Sequence, residues 1–157
     1  MTLPAPAILV VDDDSAEVQL ITRAFRKAGF ENAIYAAHDG QSAIRYLQGD
    51  EQYGDRLRFP VPGVVILDHK MPGSDGWEVL EWVRRKGEQP FAVVVFSGSN
   101  NPNDERKALE LGANAYHVKP QDFEQFMSVI KTIAEFWVKG KGAGNESAAL
   151  GKRCQGT

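Results

Sequence analysis

The sequence has 157 residues and a mass of 17.3 kDa, with 43% hydrophobic and 25% charged residues, as is ordinary for one globular domain. No apolar run is long enough to span a bilayer, and the N-terminus lacks the basic residues that open a signal peptide. The single cysteine, Cys154, excludes an internal disulfide, which predicts a cytoplasmic protein.

The net charge of −3 is spread unevenly along the chain. Residues 139–157 are rich in Gly, Ala, Lys and Ser and carry more basic than acidic side chains, which predicts a flexible C-terminal tail. The rest of the chain is therefore acidic, and we expect residues 5–138 to form the folded domain. An acidic domain argues against nucleic acid as the main ligand, because phosphate binding requires a basic face.

Five short apolar runs alternate with segments of helical periodicity. Three of the runs are almost continuously apolar and β-branched, as expected of strands that are buried on both faces of a parallel sheet. The first four helical segments end at Gly29, Gly49, Gly87 and Gly112, and the last helix carries apolar residues from Phe123 onwards. The predicted strands are AILVV (7–11), AIYAA (33–37), VVIL (64–67), FAVVVF (91–96) and AYHV (115–118).

Strict alternation of strands and helices predicts an α/β fold with right-handed crossovers, which is a doubly wound parallel sheet. One connection, residues 49–63, is longer than usual for a helix-to-strand loop. In such sheets, ligands bind outside the carboxyl ends of the strands. The residues that follow each strand are therefore the candidates for a functional site.

Polar side chains stand at the ends of four of the five runs. Acidic residues 12–14 follow the first run, Asp68 follows the third, Ser97 follows the fourth and Lys119 follows the fifth. Clustered carboxylates repel each other unless a cation joins them, and oxygen ligands with room for water suit Mg²⁺. A carboxylate beside Mg²⁺ and a lysine can attack phosphorus and form an aspartyl phosphate.

Each of these residues also has a simpler structural interpretation. Asp14 followed by Glu17 resembles a capping box at the start of the first helix, and we expect Asp14 to be structural. Taken alone, Asp68 could start a turn, Ser97 could be a turn hydroxyl, and Lys119 could be a solvated charge. Their combination at one edge of the sheet favours a functional site.

In this order, the residues resemble the receiver domain of two-component response regulators. The likeness covers roughly residues 5–138 and rests on the acidic pair 12–13, the stretch DHKMPGSDGWEVL from Asp68, Ser97, and the stretch LGANAYHVKP that contains Lys119. It implies a flavodoxin-like fold, with a five-stranded parallel sheet in the order 2-1-3-4-5 and five helices. It also implies a stand-alone response regulator that signals by contact and acts as a catalyst only on its own phosphoryl group.

The resemblance implies a set of acceptor and metal residues. Asp68 is expected to take a phosphoryl group from a histidine kinase. Asp13 and Asp68 are expected to bind Mg²⁺, with Asp12 holding a metal-bound water and the backbone carbonyl of Lys70 as a further ligand. Lys70 stands where many receivers carry Asn, and we expect Lys70 and Ser99 to affect hydrolysis of the phosphoryl group.

The resemblance also implies a set of switch residues. Lys119 is expected to pair with the phosphoryl oxygens, Ser97 to turn its hydroxyl towards them, and Tyr116 to rotate inward as the loop after the fourth strand moves. The bond between Lys119 and Pro120 is expected to be cis, as in the family. A change from a mostly inactive to a mostly active population requires about 5.5 kcal/mol of differential stabilisation.

The last helix carries more apolar side chains than a single stripe requires. This surplus predicts a homodimer that uses the helix through Phe126, Ile130, Phe136 and Trp137. The alternative is that Phe136 folds back over the end of the domain. The stretch FEQFMSVIKTIAEFWV and the long connection 49–63 further resemble small single-domain regulators that are paired with phytochrome kinases, so a bacteriophytochrome is the expected partner.

Two other functions are open at this stage. The spacing Asp12-x-Asp14 also resembles the nucleophile and acid of haloacid-dehalogenase-type phosphatases, although that interpretation leaves Asp68 unexplained. A receiver-like binding module that no longer takes phosphate is the second alternative, although the chain contains all the key residues of an active site.

Overall fold

The computed structural model describes residues 5–71 and 74–138. In this part of the chain, five parallel strands form one sheet in the order β2-β1-β3-β4-β5, which confirms the predicted topology. The predicted tail, residues 139–157, and the predicted turn at 72–73 lie outside the described residues. The strands are β1 (Ala7–Val11), β2 (Ile34–Ala37), β3 (Pro62–Leu67), β4 (Ala92–Ser97) and β5 (Ala115–Val118).

Five helices cover the two faces of this sheet, and successive strand residues pack against opposite faces. Ile8 and Val10 belong to the core under α1 and α5, whereas Leu9 and Val11 belong to the core under α2, α3 and α4. None of the helices in the described residues is long and apolar enough to cross a membrane. The helices are α1 (Ser15–Lys27), α2 (Gly40–Gln48), α3 (Trp77–Lys86), α4 (Pro102–Glu110) and α5 (Phe123–Ile133).

Side-chain caps start four of these helices. Asp14, Asp39, Asn101 and Asp122 each accept a hydrogen bond from a backbone amide in the first turn, which pairs a donor that has no partner within the helix. Gly49 ends α2 with a φ of 75°, a left-handed conformation that glycine adopts without strain. Local sequence signals therefore set where the helices begin and end, and so which loops lie at the carboxyl edge of the sheet.

The long connection between α2 and β3 is ordered by one arginine. It contains a 3-10 turn, Glu51–Gly54, and the guanidinium of Arg56 donates hydrogen bonds to the carbonyl oxygens of Tyr46, Leu47 and Phe59 at 2.9, 3.0 and 3.1 Å. Two of these acceptors are carbonyls at the C-terminal end of α2. Arg56 thus links the end of the helix to the segment that leads into β3.

The last helix corrects the predicted dimer surface. Phe126, Ile130 and Trp137 are 3%, 0% and 7% exposed and belong to the core of the chain itself, so their prediction as interface residues is wrong. Trp137 follows Ile130 by seven residues, so ordinary helical spacing already places both on the core-facing side. The α-helix then passes into a π-helical turn, Ala134–Val138, in which Val138 is buried as well. Phe136 is half-buried against that core, as the fold-back alternative expected.

Candidate functional site

Three carboxylates from two adjacent strand ends lie side by side. The amide of Asp12 donates to the carbonyl of Ala37 at 3.0 Å, and the amide of Asp68 donates to that of Val11 at 2.9 Å, so both residues are fixed at the carboxyl edge of the sheet. Asp12, Asp13 and Asp68 each offer a carboxylate oxygen, and these oxygens lie within 4.8 Å of one another. The structure therefore brings together the acids that the sequence places 55 residues apart.

Lys119 directly follows the edge strand β5, and its side chain extends to these carboxylates. Its Nζ lies 2.8 Å from Asp12 Oδ2 and 3.2 Å from Asp68 Oδ2, and the side chain is 11% exposed. Its backbone amide donates to the carbonyl of Ser97 at 2.7 Å, which ties the end of β5 to the end of β4. One ammonium thus bridges two buried carboxylates.

The peptide bond between Lys119 and Pro120 is trans, so the expected cis bond is wrong. The trans isomer is intrinsically favoured before proline by about 0.5–1 kcal/mol. The contacts of Lys119 with Asp12, Asp68 and Ser97 all form with this isomer. Placing the ammonium in the site therefore does not require the cis form.

Burial and charge oppose each other at Asp68. Burial raises the pKa of its carboxyl group above the ordinary value, while the Lys119 ammonium and the Lys70 amide, which donates to Oδ1 at 3.1 Å, act to lower it. At Lys119 burial acts to lower the pKa, but the hydrogen bond to Asp12 and the charge of Asp68 prevail and the pKa is raised. The lysine is therefore held charged, while Asp68 is short of compensating positive charge.

The chemistry of the site fits a divalent cation. Three clustered carboxylates face one ammonium, which leaves an excess of negative charge that a bound cation would neutralise. The cleft has a volume of about 500 Å³ and opens to solvent, so a cation there would keep several waters, as Mg²⁺ prefers. The lining residues are Asp12, Asp13, Asp14, Glu17, Asp68, Lys70, Gly98, Ser99 and Lys119.

Glu17 is a residue of this cleft that the capping-box interpretation missed. Asp14 does cap α1 by accepting from the amide of Ala16 at 2.9 Å, but its own amide donates to Asp12 Oδ1 at 3.0 Å and not to Glu17. The Oε2 atom of Glu17 is buried and has no hydrogen-bond partner among the described residues, and burial raises the pKa of this carboxyl group while Lys119 opposes the rise. The sequence signal that could have identified Glu17 is its position in the first turn of α1, directly after the acidic residues 12–14.

The predicted switch residues meet in the connection between β4 and α4. Ser97 is fully buried, and its Oγ accepts from the amide of Ser99 at 3.2 Å. The hydroxyl of Tyr116 donates to the carbonyl of Ser99 at 2.7 Å, and its ring is 6% exposed. Ser97 and Tyr116 therefore hold the same loop residue, and the inward rotation of Tyr116 stays a prediction.

A glycine sets the approach of α3 to the acceptor. A Cβ at Gly76 would lie 2.6 Å from the Cα of His69 and 2.7 Å from the carbonyl oxygen of Asp68, both of them backbone atoms. We expect Gly76→Ala to displace Asp68, to lower the free energy of unfolding by about 1–3 kcal/mol and to weaken Mg²⁺ binding, as measured by urea unfolding and metal titration. Gly98→Ala is the control for the loss of stability, since its Cβ would meet no atom of the described residues within 4 Å. Equal effects of the two variants would contradict this packing argument.

The comparisons with known proteins agree with this geometry. The family model of the response regulator receiver domain matches residues 8–131. The chain is 36% identical over 132 residues to the probable methanogenesis regulatory protein FilR2 of Methanothrix harundinacea, which covers 83% of each chain.

Two crystal structures resemble the fold closely. The response regulator RPA3017 in red light signalling of R. palustris has a TM-score of 0.78 and 28% identity, covering 84% of this chain and 93% of that one. The phosphorylated cyanobacterial phytochrome response regulator RcpA has a TM-score of 0.75 and 29% identity, covering 85% and 94%. The chain belongs to the response regulator receiver domain family.

Proposed function

We propose that the protein accepts a phosphoryl group on Asp68 from a histidine kinase, in a reaction that requires Mg²⁺, and that it signals through the resulting change in the connection between β4 and α4. The observation that carries this proposal is the position of the Asp68 carboxylate, between the acidic pair 12–13 and the ammonium of Lys119. An acceptor in this position has the Lys119 ammonium on one side and room for a divalent cation on the other.

The transfer would proceed by attack of a carboxylate oxygen of Asp68 on phosphorus. The bond between phosphorus and the kinase imidazole breaks, and the imidazole leaves with its electron pair. A bound Mg²⁺ would supply charge neutralisation for the phosphoryl oxygens, held by the carboxylates of Asp12, Asp13 and Asp68. Lys119 would pair with the incoming phosphoryl group from the position it already occupies, 3.2 Å from Asp68 Oδ2.

The partner is proposed on the same grounds as the reaction. The similarity to RPA3017 and to RcpA, which are described as regulators of red light and phytochrome signalling, supports a bacteriophytochrome-type histidine kinase as the donor. The proposal includes a cytoplasmic location, which the single cysteine supports. It also includes catalysis only of the protein's own phosphorylation and dephosphorylation.

Self-association remains part of the proposal on a smaller surface than the sequence predicted. Phe123 and Val118 are 45% and 39% exposed, and β5, which carries Val118, is an edge strand of the sheet. Together with the half-buried Phe136, they provide apolar surface on β5 and the last helix for a homodimer. A monomeric mass by light scattering, with and without phosphorylation, would exclude the dimer.

One experiment separates the proposed function from its alternatives. The protein is incubated with acetyl phosphate and either Mg²⁺ or EDTA, and its intact mass is followed with time. We expect the wild type to gain one phosphoryl group only with Mg²⁺, and Asp68→Asn to gain none. Asp122→Asn is the control, because Asn caps the start of α5 as well as Asp does and residue 122 does not line the cleft.

The other outcomes identify the alternatives. A wild type that gains no mass would be a binding module that does not take phosphate. Steady release of phosphate from a monoester would instead indicate a phosphatase, with Asp12 as its nucleophile.

A further inference from the structure

Ser99 is held on three sides in the loop that follows β4. Its amide donates to Ser97 Oγ at 3.2 Å, its carbonyl accepts from the Tyr116 hydroxyl at 2.7 Å, and its own hydroxyl donates to Asp104 Oδ2. Two of these partners are the predicted switch residues, and the third lies in the first turn of α4. A movement of this loop towards Asp68 that leaves α4 in place therefore changes the contact between Ser99 and Asp104.

Asp104 also faces the segment that follows the acceptor. Its Oδ2 lies 3.8 Å from His69 Nε2 and 3.9 Å from Lys70 Nζ. The hydrogen bond from Ser99 lowers the pKa of Asp104, so the side chain is a carboxylate at neutral pH. One carboxylate thus contacts the loop after β3 and the loop after β4, while it lies outside the cleft itself.

A phosphoryl group on Asp68 would compete for the partners of this carboxylate. It adds charge and strong acceptor oxygens beside Lys70, whose side chain is 64% exposed and can turn into the cleft that it already lines. It also attracts the hydroxyl of Ser97, which now accepts from the Ser99 amide. Contacts that exist only in the unphosphorylated arrangement oppose the switch by their full differential free energy.

We propose that Asp104 is a positioning residue that holds the unphosphorylated arrangement of the connection between β4 and α4, acting through Ser99 and Lys70. The contacts of Asp104 set the free-energy difference between the two arrangements of this connection, which the phosphoryl group must overcome. Removal of Asp104 therefore makes the switched state easier to reach. This inference rests on the proposed function of Asp68 as the phosphoryl acceptor.

The test uses beryllium fluoride, an anion that mimics a phosphoryl group on a carboxylate. The full chain is titrated with it in saturating Mg²⁺, and binding is followed by tryptophan fluorescence, since Trp77 stacks on His69 at 4.3 Å beside the acceptor. We expect Asp104→Ala to bind at least about tenfold more tightly than the wild type, as fits the loss of one hydrogen bond to a charged group. Ser99→Ala should change affinity in the same direction. The double variant should bind no more tightly than the tighter single variant, because both remove the same contact.

Two further variants separate this role from charge and from folding. Glu105→Ala removes the same charge from the same turn of α4, but its carboxylate is not the acceptor of the Ser99 hydroxyl, so its affinity should stay near that of the wild type. Asp104→Asn keeps an acceptor oxygen without the charge, and it should fall between wild type and Asp104→Ala. If Asp104→Ala does not fold, Ser99→Ala and Asp104→Asn give the same test.

The outcomes distinguish failure of this inference from failure of the proposed function. A residue with only a structural role would leave the affinity unchanged or lower it, so either result for Asp104→Ala would overturn the inference. An equal gain for Glu105→Ala would also overturn it, because charge alone would then explain the effect. If the wild type itself does not bind the anion, or if Asp68→Asn binds it equally well, the proposed function fails instead.

Discussion

Asp68→Asn is expected to be more stable than the wild type in the absence of divalent cations and less stable in saturating Mg²⁺. Without a cation, the buried Asp68 carboxylate lies beside two others, and burial raises its pKa. Asparagine removes this charge and keeps one acceptor oxygen, while Lys119 retains its contact of 2.8 Å with Asp12. We expect a gain on the order of 1 kcal/mol in the free energy of unfolding at neutral pH.

The pH dependence follows from the direction of the pKa shift. Because the pKa of Asp68 is raised in the folded state, the folded chain binds more protons than the unfolded chain at pH values between the two pKa values of this group. The associated stability is present at acid pH, below the pKa of the unfolded chain, and is lost as the pH rises through the pKa of the folded state. The advantage of Asp68→Asn should therefore grow as the pH rises from the acid range towards neutrality.

Mg²⁺ should reverse the order of the two proteins. A cation that binds only the folded state at 100 times its dissociation constant adds about 2.7 kcal/mol. The wild type should gain this amount, and Asp68→Asn should gain much less because it lacks one of the three carboxylates. Urea unfolding with EDTA and with Mg²⁺ measures both effects, and Asp122→Asn should follow the wild type in both buffers. An Asp68→Asn protein that gains as much from Mg²⁺ as the wild type would contradict the metal site.

Lys119→Met is expected to cause the largest loss of stability among substitutions in the site. It preserves most of the side-chain volume but leaves Asp12 and Asp68 buried without their shared ammonium. Removal of one partner from a buried ion pair typically costs about 3–5 kcal/mol. We expect a loss of this size in EDTA at neutral pH, with partial recovery in Mg²⁺, since a divalent cation can neutralise the same carboxylates.

The loss should also shrink as the pH falls, because the pKa of Asp68 is raised and its protonation removes a negative charge that Lys119 offsets. Lys131→Met is the matched control, since Lys131 is exposed on α5 and its replacement should change stability by no more than about 0.5 kcal/mol. If Lys119→Met matched the wild type in EDTA at neutral pH, the bridging contact would have no energetic role.

The sequence predicted the part of the site that depends on strand order. Apolar runs set the strands, and parallel strands bring their carboxyl ends to one edge, so Asp12, Asp68, Ser97 and Lys119 could be placed together before any coordinates were known. Helix starts can be predicted for a different reason: caps such as Asp14 act within a few residues of their own position.

Features that depend on the winding of a helix or on distant contacts could not be predicted. The surplus of apolar residues on the last helix indicated a dimer surface, but Phe126, Ile130 and Trp137 pack into the core of the chain, and the π-helical turn at Ala134–Val138 buries Val138 with them. Glu17 was interpreted as a cap, because sequence spacing does not show that Asp12 accepts the amide of Asp14. The contacts of Asp104 with Ser99 and Lys70 join the first turn of α4 to two separate loops, and no local pattern indicates them.

A crystal structure of the protein with Mg²⁺ and beryllium fluoride would test the central claim most directly. We expect one cation about 2.1 Å from carboxylate oxygens of Asp13 and Asp68, with the anion on Asp68 and in contact with Lys119 Nζ and Ser97 Oγ. An anion bound to another residue, or a cation held away from these carboxylates, would contradict the proposal that Asp68 is the phosphoryl acceptor.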